Sequence, residues 1–136
     1  MAVAQIAEHL RNWLDGLNRG DVSAAPETFA PDCIVHITGS PDPLRGPDAF
    51  AQFVGGLLAA FPDVHFEVED QVESGDTVAV RWTAEGTHTQ PLGNIPPTGK
   101  RVRIDGIVFD RLAGGKVVER WEQWDQTGML RQLGLM

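Results

Sequence analysis

Glu122 stands in a run where charge and aromatic bulk alternate. After a Gly-Gly turn, residues 116–125 read Lys-Val-Val-Glu-Arg-Trp-Glu-Gln-Trp-Asp. A strand shows successive residues to opposite faces. Val118, Arg120, Glu122 and Trp124 then share one face, and Val117, Glu119, Trp121, Gln123 and Asp125 share the other. A simple half-exposed strand keeps its charges on one side. Here both sides mix charge with apolar bulk, the pattern of a strand whose one face lines a pocket with an ionisable group. Burial disfavours the charged form of a carboxylate and raises its pKa toward neutrality. A carboxylate tuned this way takes a proton from a carbon beside a carbonyl, or activates water. The plainer alternative is an ion pair between Glu122 and Arg120 or Arg81.

Other side chains could join this chemistry. Arg81 shares a strand face with Thr83 and Glu85. Its guanidinium suits a developing enolate or alkoxide oxygen, and equally a salt bridge to a neighbouring strand. Arg120, two residues before Glu122, either holds it ionised or reaches solvent at a rim. His88 opens a long loop and His36 ends a strand. Imidazole titrates near neutrality and can move a proton, although a plain hydrogen bond serves such positions as well. His9 and His65 read as surface residues. Trp82, Trp121 and Trp124 are core or interface bulk by default, with Trp124 a pocket wall if the Glu122 face lines one.

The elements that must position these groups fall into two halves. Val3, Ile6, Ala7, Leu10, Trp13, Leu14 and Leu17 recur at helical spacing, and Gly20 supplies a left-handed cap. Asp21 caps a short second helix running to about Phe29. Residues 33–37 form a short strand, and residues 38–45 a loop rich in Gly, Ser, Pro and Asp. A third helix starts at Pro47, buries Phe50, Phe53, Val54, Leu57, Leu58 and Phe61, and stops at Pro62. Then the period changes to two. Strands are expected at 64–72, 77–87, 101–111 and 116–125, with turns at 74–76 and 113–115 and a loop at 88–99. Residues 129–136 form a last short helix or tail. Helices first and a meander second make an α+β fold. Its curved antiparallel or mixed sheet, covered by three N-terminal helices, leaves a cone with an apolar interior, the usual shape of a binding site.

Composition narrows the function. The 136 residues suit a single domain, 1–136, with a real core. A net charge of −8 argues against nucleic acid and against anionic membranes. No apolar run spans a bilayer and no leader pattern opens the chain. Cys33 is the lone cysteine, which fits a reducing, cytoplasmic setting. There is no His-x-His, no His-Glu-x-x-His, no cysteine pair, no phosphate-cradling glycine loop and no Gly-x-Ser-x-Gly elbow. The implied chemistry needs neither metal nor cofactor.

Six stretches, in order and spacing, resemble the SnoaL-like polyketide cyclases of the nuclear-transport-factor-two-like superfamily. They are Arg45-Gly46-Pro47-Asp48-Ala49-Phe50, Phe61-Pro62-Asp63, Gly86-Thr87-His88, Pro96-Pro97-Thr98-Gly99-Lys100, Gly115-Lys116-Val117-Val118-Glu119 and Leu130-Arg131-Gln132-Leu133-Gly134. The resemblance implies an α+β cone, a homodimer and a polyketide-like or small apolar substrate. It also implies an intramolecular aldol ring closure with an acid on the last strand, a position Glu122 occupies, while Arg81 or His88 steadies the enolate. Polar pocket positions of the cyclases fall here at Gly106, Val108 and Val35, which with His36, Arg120 and Trp124 make the expected substrate-binding set. Asp105, opposite in parity to Gly106 and Val108, is expected at an interface or salt bridge, as are Glu119 and Asp125. The family also resembles limonene-type epoxide hydrolases, in which an Arg and two Asp open an epoxide with water. Glu122 and Arg81 match two of these, and the second acid falls near Thr83. The remaining alternative is a non-catalytic protein that binds a small apolar ligand.

Overall fold

The computed structural model describes residues 6–136, so Val3 of the first helical stripe lies outside the described residues. A turn of 3₁₀ helix, Glu8–Leu10, leads into α1, Arg11–Leu17. Gly20 follows at φ +73°, the left-handed stop expected there. Asp21 does not cap the second helix. Its carboxylate accepts the Ser23 amide in a tight turn, and α2 starts later, at Ala25–Thr28. Phe29 is already extended and opens β1, Phe29–Ile37, four residues before the expected strand. The loop after β1 contains a two-residue strand, β2, Leu44–Arg45. Gly46, at φ +85°, turns the chain into α3, Pro47–Ala60. The remaining strands are β3 (His65–Ser74), β4 (Thr77–Thr87), β5 (Arg101–Ala113) and β6 (Lys116–Trp124), and α4 (Gln126–Gln132) follows.

The six strands form one open, mixed sheet in the order β2-β1-β6-β5-β4-β3. The meander β3 to β6 is antiparallel, as short turns require. β1 lies parallel to β6, a pairing reached by the long route through α3. Thus the first strand in the chain flanks the last, and the Glu122 strand sits inside the sheet. Its inner face carries Val80, Trp82, Ala84, Val102 and Val108, against Leu10, Trp13, Leu17, Phe50, Val54 and Leu58 of the helices.

Several stretches behind the family resemblance are joints of this frame. Asp63 accepts the backbone amide and the hydroxyl of Thr87 at 2.7 and 2.8 Å, tying the chain after α3 to the end of β4. Pairing of β5 with β6 begins at Gly106, so the β5 backbone at Arg103, paired with Glu85 of β4 on one edge, has no strand on its β6 edge. The Gln132 amide supplies the missing partner, accepting from the Arg103 amide at 2.7 Å and donating to its carbonyl at 2.9 Å. Asp125 caps α4 by accepting the Gly128 amide, a role in place of the interface expected for it.

Gly106 is a second-layer requirement. A Cβ there would stand 2.5 Å from the Trp82 ring and 2.8 Å from the Gln123 carbonyl. Only glycine lets the indole lie across β5, so Gly106 shapes the pocket wall from behind and is absent from the pocket lining, contrary to expectation. Gly106→Ala should destabilise the fold by about 1–3 kcal/mol through overpacking, measurable by chemical denaturation.

Candidate active site

β6 presents Arg120, Glu122 and Trp124 to the interior, and β5 presents Val108 and Asp110 beside them. Asp110 pairs directly with Arg120 and Val108 with Glu122 across the two strands. The alternation expected for 120–124 therefore holds. It fails nearer the turn, where an irregularity between Arg111 and Leu112 leaves Val118 unmatched. Val117, not Val118, is the fully buried residue there.

Four titratable groups form a continuous chain. Arg120 grips Asp110 with two hydrogen bonds, Nε to Oδ1 at 2.7 Å and Nη2 to Oδ2 at 2.8 Å. Its Nη1 donates to Glu122 Oε1 at 3.3 Å. On the far side, His9 Nε2 lies 2.9 Å from Asp110 Oδ2. The guanidinium also sits over the rings of Phe29 and Phe50, 4.9 and 5.6 Å from their centroids. Those rings pack on each other and on Trp13. A desolvated cation over aromatic faces gains further electrostatic support. Arg120 thus has its place fixed from below by rings and from the side by a carboxylate.

The electrostatics follow from these contacts. Burial acts to raise the Asp110 carboxyl, but the Arg120 charge and the bonds from His9 and Arg120 outweigh it and hold it below the usual range. Burial likewise works against the Arg120 cation, and its two carboxylates overcome this and raise it. Glu122 goes the other way. Burial pushes its carboxyl up and the Asp110 charge adds to the rise, against partial opposition from Arg120. Two carboxylates on one arginine are thereby split: Asp110 is committed to its ion pair and Glu122 is the one poised to change protonation.

Glu122 and Arg120 line an apolar cavity of about 120 Å³ together with Val108, Trp82, Trp124 and Phe50. Trp124 is held by a bond from its indole nitrogen to the Thr38 carbonyl at 3.0 Å. Glu122, Arg120, Val108 and Trp124, four of the residues singled out in the sequence, all line this cavity.

Other expected site residues lie elsewhere. Arg81 is exposed on the outer face, because Val80, Trp82 and Ala84 take the inner positions of β4. It cannot reach a substrate beside Glu122. Arg81→Ala should leave activity within about twofold and stability within about 0.5 kcal/mol, measured by initial rates and thermal melts. Thr83, where a second acid was sought, donates to Glu69 at 2.7 Å away from the pocket. His36 also faces outward, 2.8 Å from Glu119 and stacked on Trp121. Val35 is fully buried, but Ile37 meets the cavity in its place. His88 is buried, stacked on Phe61, with Nδ1 accepting the Thr98 amide at 3.2 Å. It sits behind the pocket wall and holds the 88–100 loop rather than touching the cavity.

Sequence reasoning missed Asp110 and His9. Asp110 shares parity with Gly106 and Val108, so its inward direction was readable. His9, assigned to the surface, has a side chain only 5% exposed.

An open α+β cone, apolar inside and carrying one unsettled carboxylate on its last strand, defines a small-molecule pocket protein. The sequence model of the SnoaL-like polyketide cyclases matches residues 7–133, and the chain belongs to that family. It is 36% identical over 92 residues to aklanonic acid methyl ester cyclase DnrD of Streptomyces peucetius, covering 67% of this chain and 63% of that enzyme's length. It is 30% identical over 122 residues to nogalonic acid methyl ester cyclase of Streptomyces nogalater, covering 89% and 91% of the two chains. The crystal structure of wild-type IdmH from Streptomyces antibioticus superposes with a TM-score of 0.81 at 31% identity, covering 93% and 96%. Among the described residues no helix is long and apolar enough to cross a membrane.

Proposed function

We propose that this domain closes a ring on a polyketide-derived carbonyl substrate by acid/base chemistry without a cofactor, a reading supported by relatives named as methyl ester cyclases. The observation that carries this reading is Glu122. Its carboxyl is raised by burial, it is bonded to a fixed arginine, and it borders an apolar cavity.

In the proposed reaction the Glu122 carboxylate takes the proton from a carbon flanked by carbonyls. The electron pair moves onto the neighbouring oxygen as an enolate. Arg120 uses three of its five N–H groups on carboxylates, which leaves one on Nη1 and one on Nη2 for that oxygen, the role expected of Arg81 or His88. The enolate carbon then attacks a second carbonyl of the same molecule and forms the ring bond. The new alkoxide recovers the proton from Glu122, which returns to its starting state. Because the cavity is smaller than the 300–1,000 Å³ typical of pockets that enclose a whole ligand, it takes the reacting end of the substrate.

Epoxide opening by water has less support. Thr83 is not acidic, and Asp110 is sealed beneath Arg120. A purely apolar ligand-binding role leaves the cost of burying Glu122 unexplained. Incubation with β-keto esters and epoxides in water enriched in deuterium and heavy oxygen separates the three. Deuterium beside a carbonyl, lost in Glu122→Gln, is the expected result. Heavy oxygen in a diol would mean epoxide opening, and no incorporation would favour binding alone.

A homodimer and a cytoplasmic setting complete the proposal. Ile107 and Phe109 are 57% and 42% exposed on the outer face, where Phe109 and Arg111 pack on Trp121. Such a patch suits a self-association face. Light scattering at micromolar concentration should give twice the chain mass, and a monomer would overturn the dimer. The free thiol of Cys33 is buried, in keeping with a reducing compartment.

A further inference from the structure

The buried chain does not end at Arg120. Asp110, ionised and gripped by Arg120, can only accept hydrogen bonds, so His9 Nε2, 2.9 Å away, carries a proton. The His9 ring is therefore either the neutral Nε2–H form or the imidazolium. Its other side belongs to a different environment. His9 lines a surface groove of about 490 Å³ together with Glu8, Asn12, Glu27 and Glu73. Asp110 itself lines neither the groove nor the Glu122 cavity. His9 is the one member of the chain that touches the groove, and Glu122 and Arg120 are the members that touch the cavity.

We propose that His9 is a positioning residue of the reaction centre, whose charge, acting through Asp110 and Arg120, sets how readily Glu122 ionises. The argument is one of charge balance. Asp110 and Arg120 cancel. An ionised Glu122 leaves the buried chain with one net negative charge when His9 is neutral, and with none when His9 is an imidazolium. Asp110 from β5 is in direct contact with His9, and Glu8, Glu27 from α2 and Glu73 from β3 line the same groove. The groups facing Glu122 are Arg120 and Asp110, with Glu85 across the cavity already engaged by Arg101 and Arg103. No proton travels along the chain, since the guanidinium stays protonated. The coupling is through the field of fixed charges, which acts strongly in a dry interior. An imidazolium at His9 favours the base form of Glu122, and its loss to the groove favours the acid form.

This inference rests on Glu122 as the reacting carboxylate, but its test needs no substrate. The side-chain carboxyl carbons of glutamate are isotope-labelled, and the Glu122 signal is assigned by its absence in Glu122→Gln. Its titration is followed by NMR in the full chain and in His9→Gln, which keeps an N–H for Asp110 and removes the charge. The Glu122 midpoint should rise by about 0.5–1 pH unit in His9→Gln. An unchanged midpoint overturns the proposal. Coupling between two sites is reciprocal, so Glu122→Gln must displace the His9 titration by a comparable interval in the opposite direction. If His9→Gln fails to fold, that second measurement decides: displacement supports the coupling and its absence overturns it. Retained carbon-acid activity in Glu122→Gln would instead sink the proposed reaction, and would leave the measured coupling standing.

Discussion

Asp110→Asn is expected to cost the fold about 3–5 kcal/mol, the effect of removing one partner from a buried ion pair. The substitution barely changes shape, so the loss comes from charge. Arg120 would keep its cation over Phe29 and Phe50 with one hydrogen-bond acceptor where two stood, and the new amide would point a donor at either Arg120 or His9. Urea denaturation at neutral pH measures this. A loss below about 1 kcal/mol would mean that water or Glu122 takes over the cation. The pH dependence adds a second check. Asp110 titrates lower folded than its usual value near 3.9. The unfolded chain binds its proton first, so the stability it supplies is complete above the unfolded value and drains away as pH falls through the folded one. The parent protein should lose stability along that acid limb, and Asp110→Asn should show a shallower slope there.

That the largest structural effect falls on a residue not singled out in the sequence has a physical cause. The strands, their turns and the alternation on β4 to β6 are written in residue type. Gly75 and Gly114 mark the tight turns, and Val78, Val80, Trp82 and Ala84 mark an inner face. The same alternation places Arg81 on the outer face, whatever the chemical suitability of a guanidinium for an oxyanion. A charged residue on a strand is normally read as solvent-facing, which hid Asp110 although Gly106 and Val108 share its parity. Its partner Arg120 lies across a hairpin, and His9 lies in another element altogether. Such contacts depend on register and on how the N-terminal helix lies over the sheet, and neither is local. The displaced start of β1 has the same origin. Phe29 reads as the end of a helix by spacing, yet it is drawn into pairing beside β6, opposite Val117.

Glu122→Gln is expected to separate activity from stability in opposite directions. Without the carboxylate the proton beside the carbonyl has no acceptor, and the rate of deuterium incorporation should fall by about 10²–10⁴-fold, the usual share of a positioned general base. The Gln side-chain oxygen can still accept from Arg120 Nη1, so the pocket keeps its shape. Stability should rise. Glu122 binds its proton more tightly folded than unfolded. Between the unfolded value and the raised folded one, the folded state holds a proton that the unfolded state has lost, and stability falls as pH climbs through that window. Above it the full penalty of burying a carboxylate remains, and a neutral amide removes it. The variant should therefore melt higher than the parent at pH 7 and similarly to it at about pH 4, where both states of the parent become protonated. Glu122→Asp should be intermediate in rate, because a side chain one methylene shorter draws the base back from the substrate while keeping the charge. An inactive, more stable Gln variant is what a carboxylate kept for chemistry predicts. A Gln variant less stable at neutral pH would mean that the Glu122–Arg120 pair is structural, and would remove the physical reason for assigning the reaction to this residue.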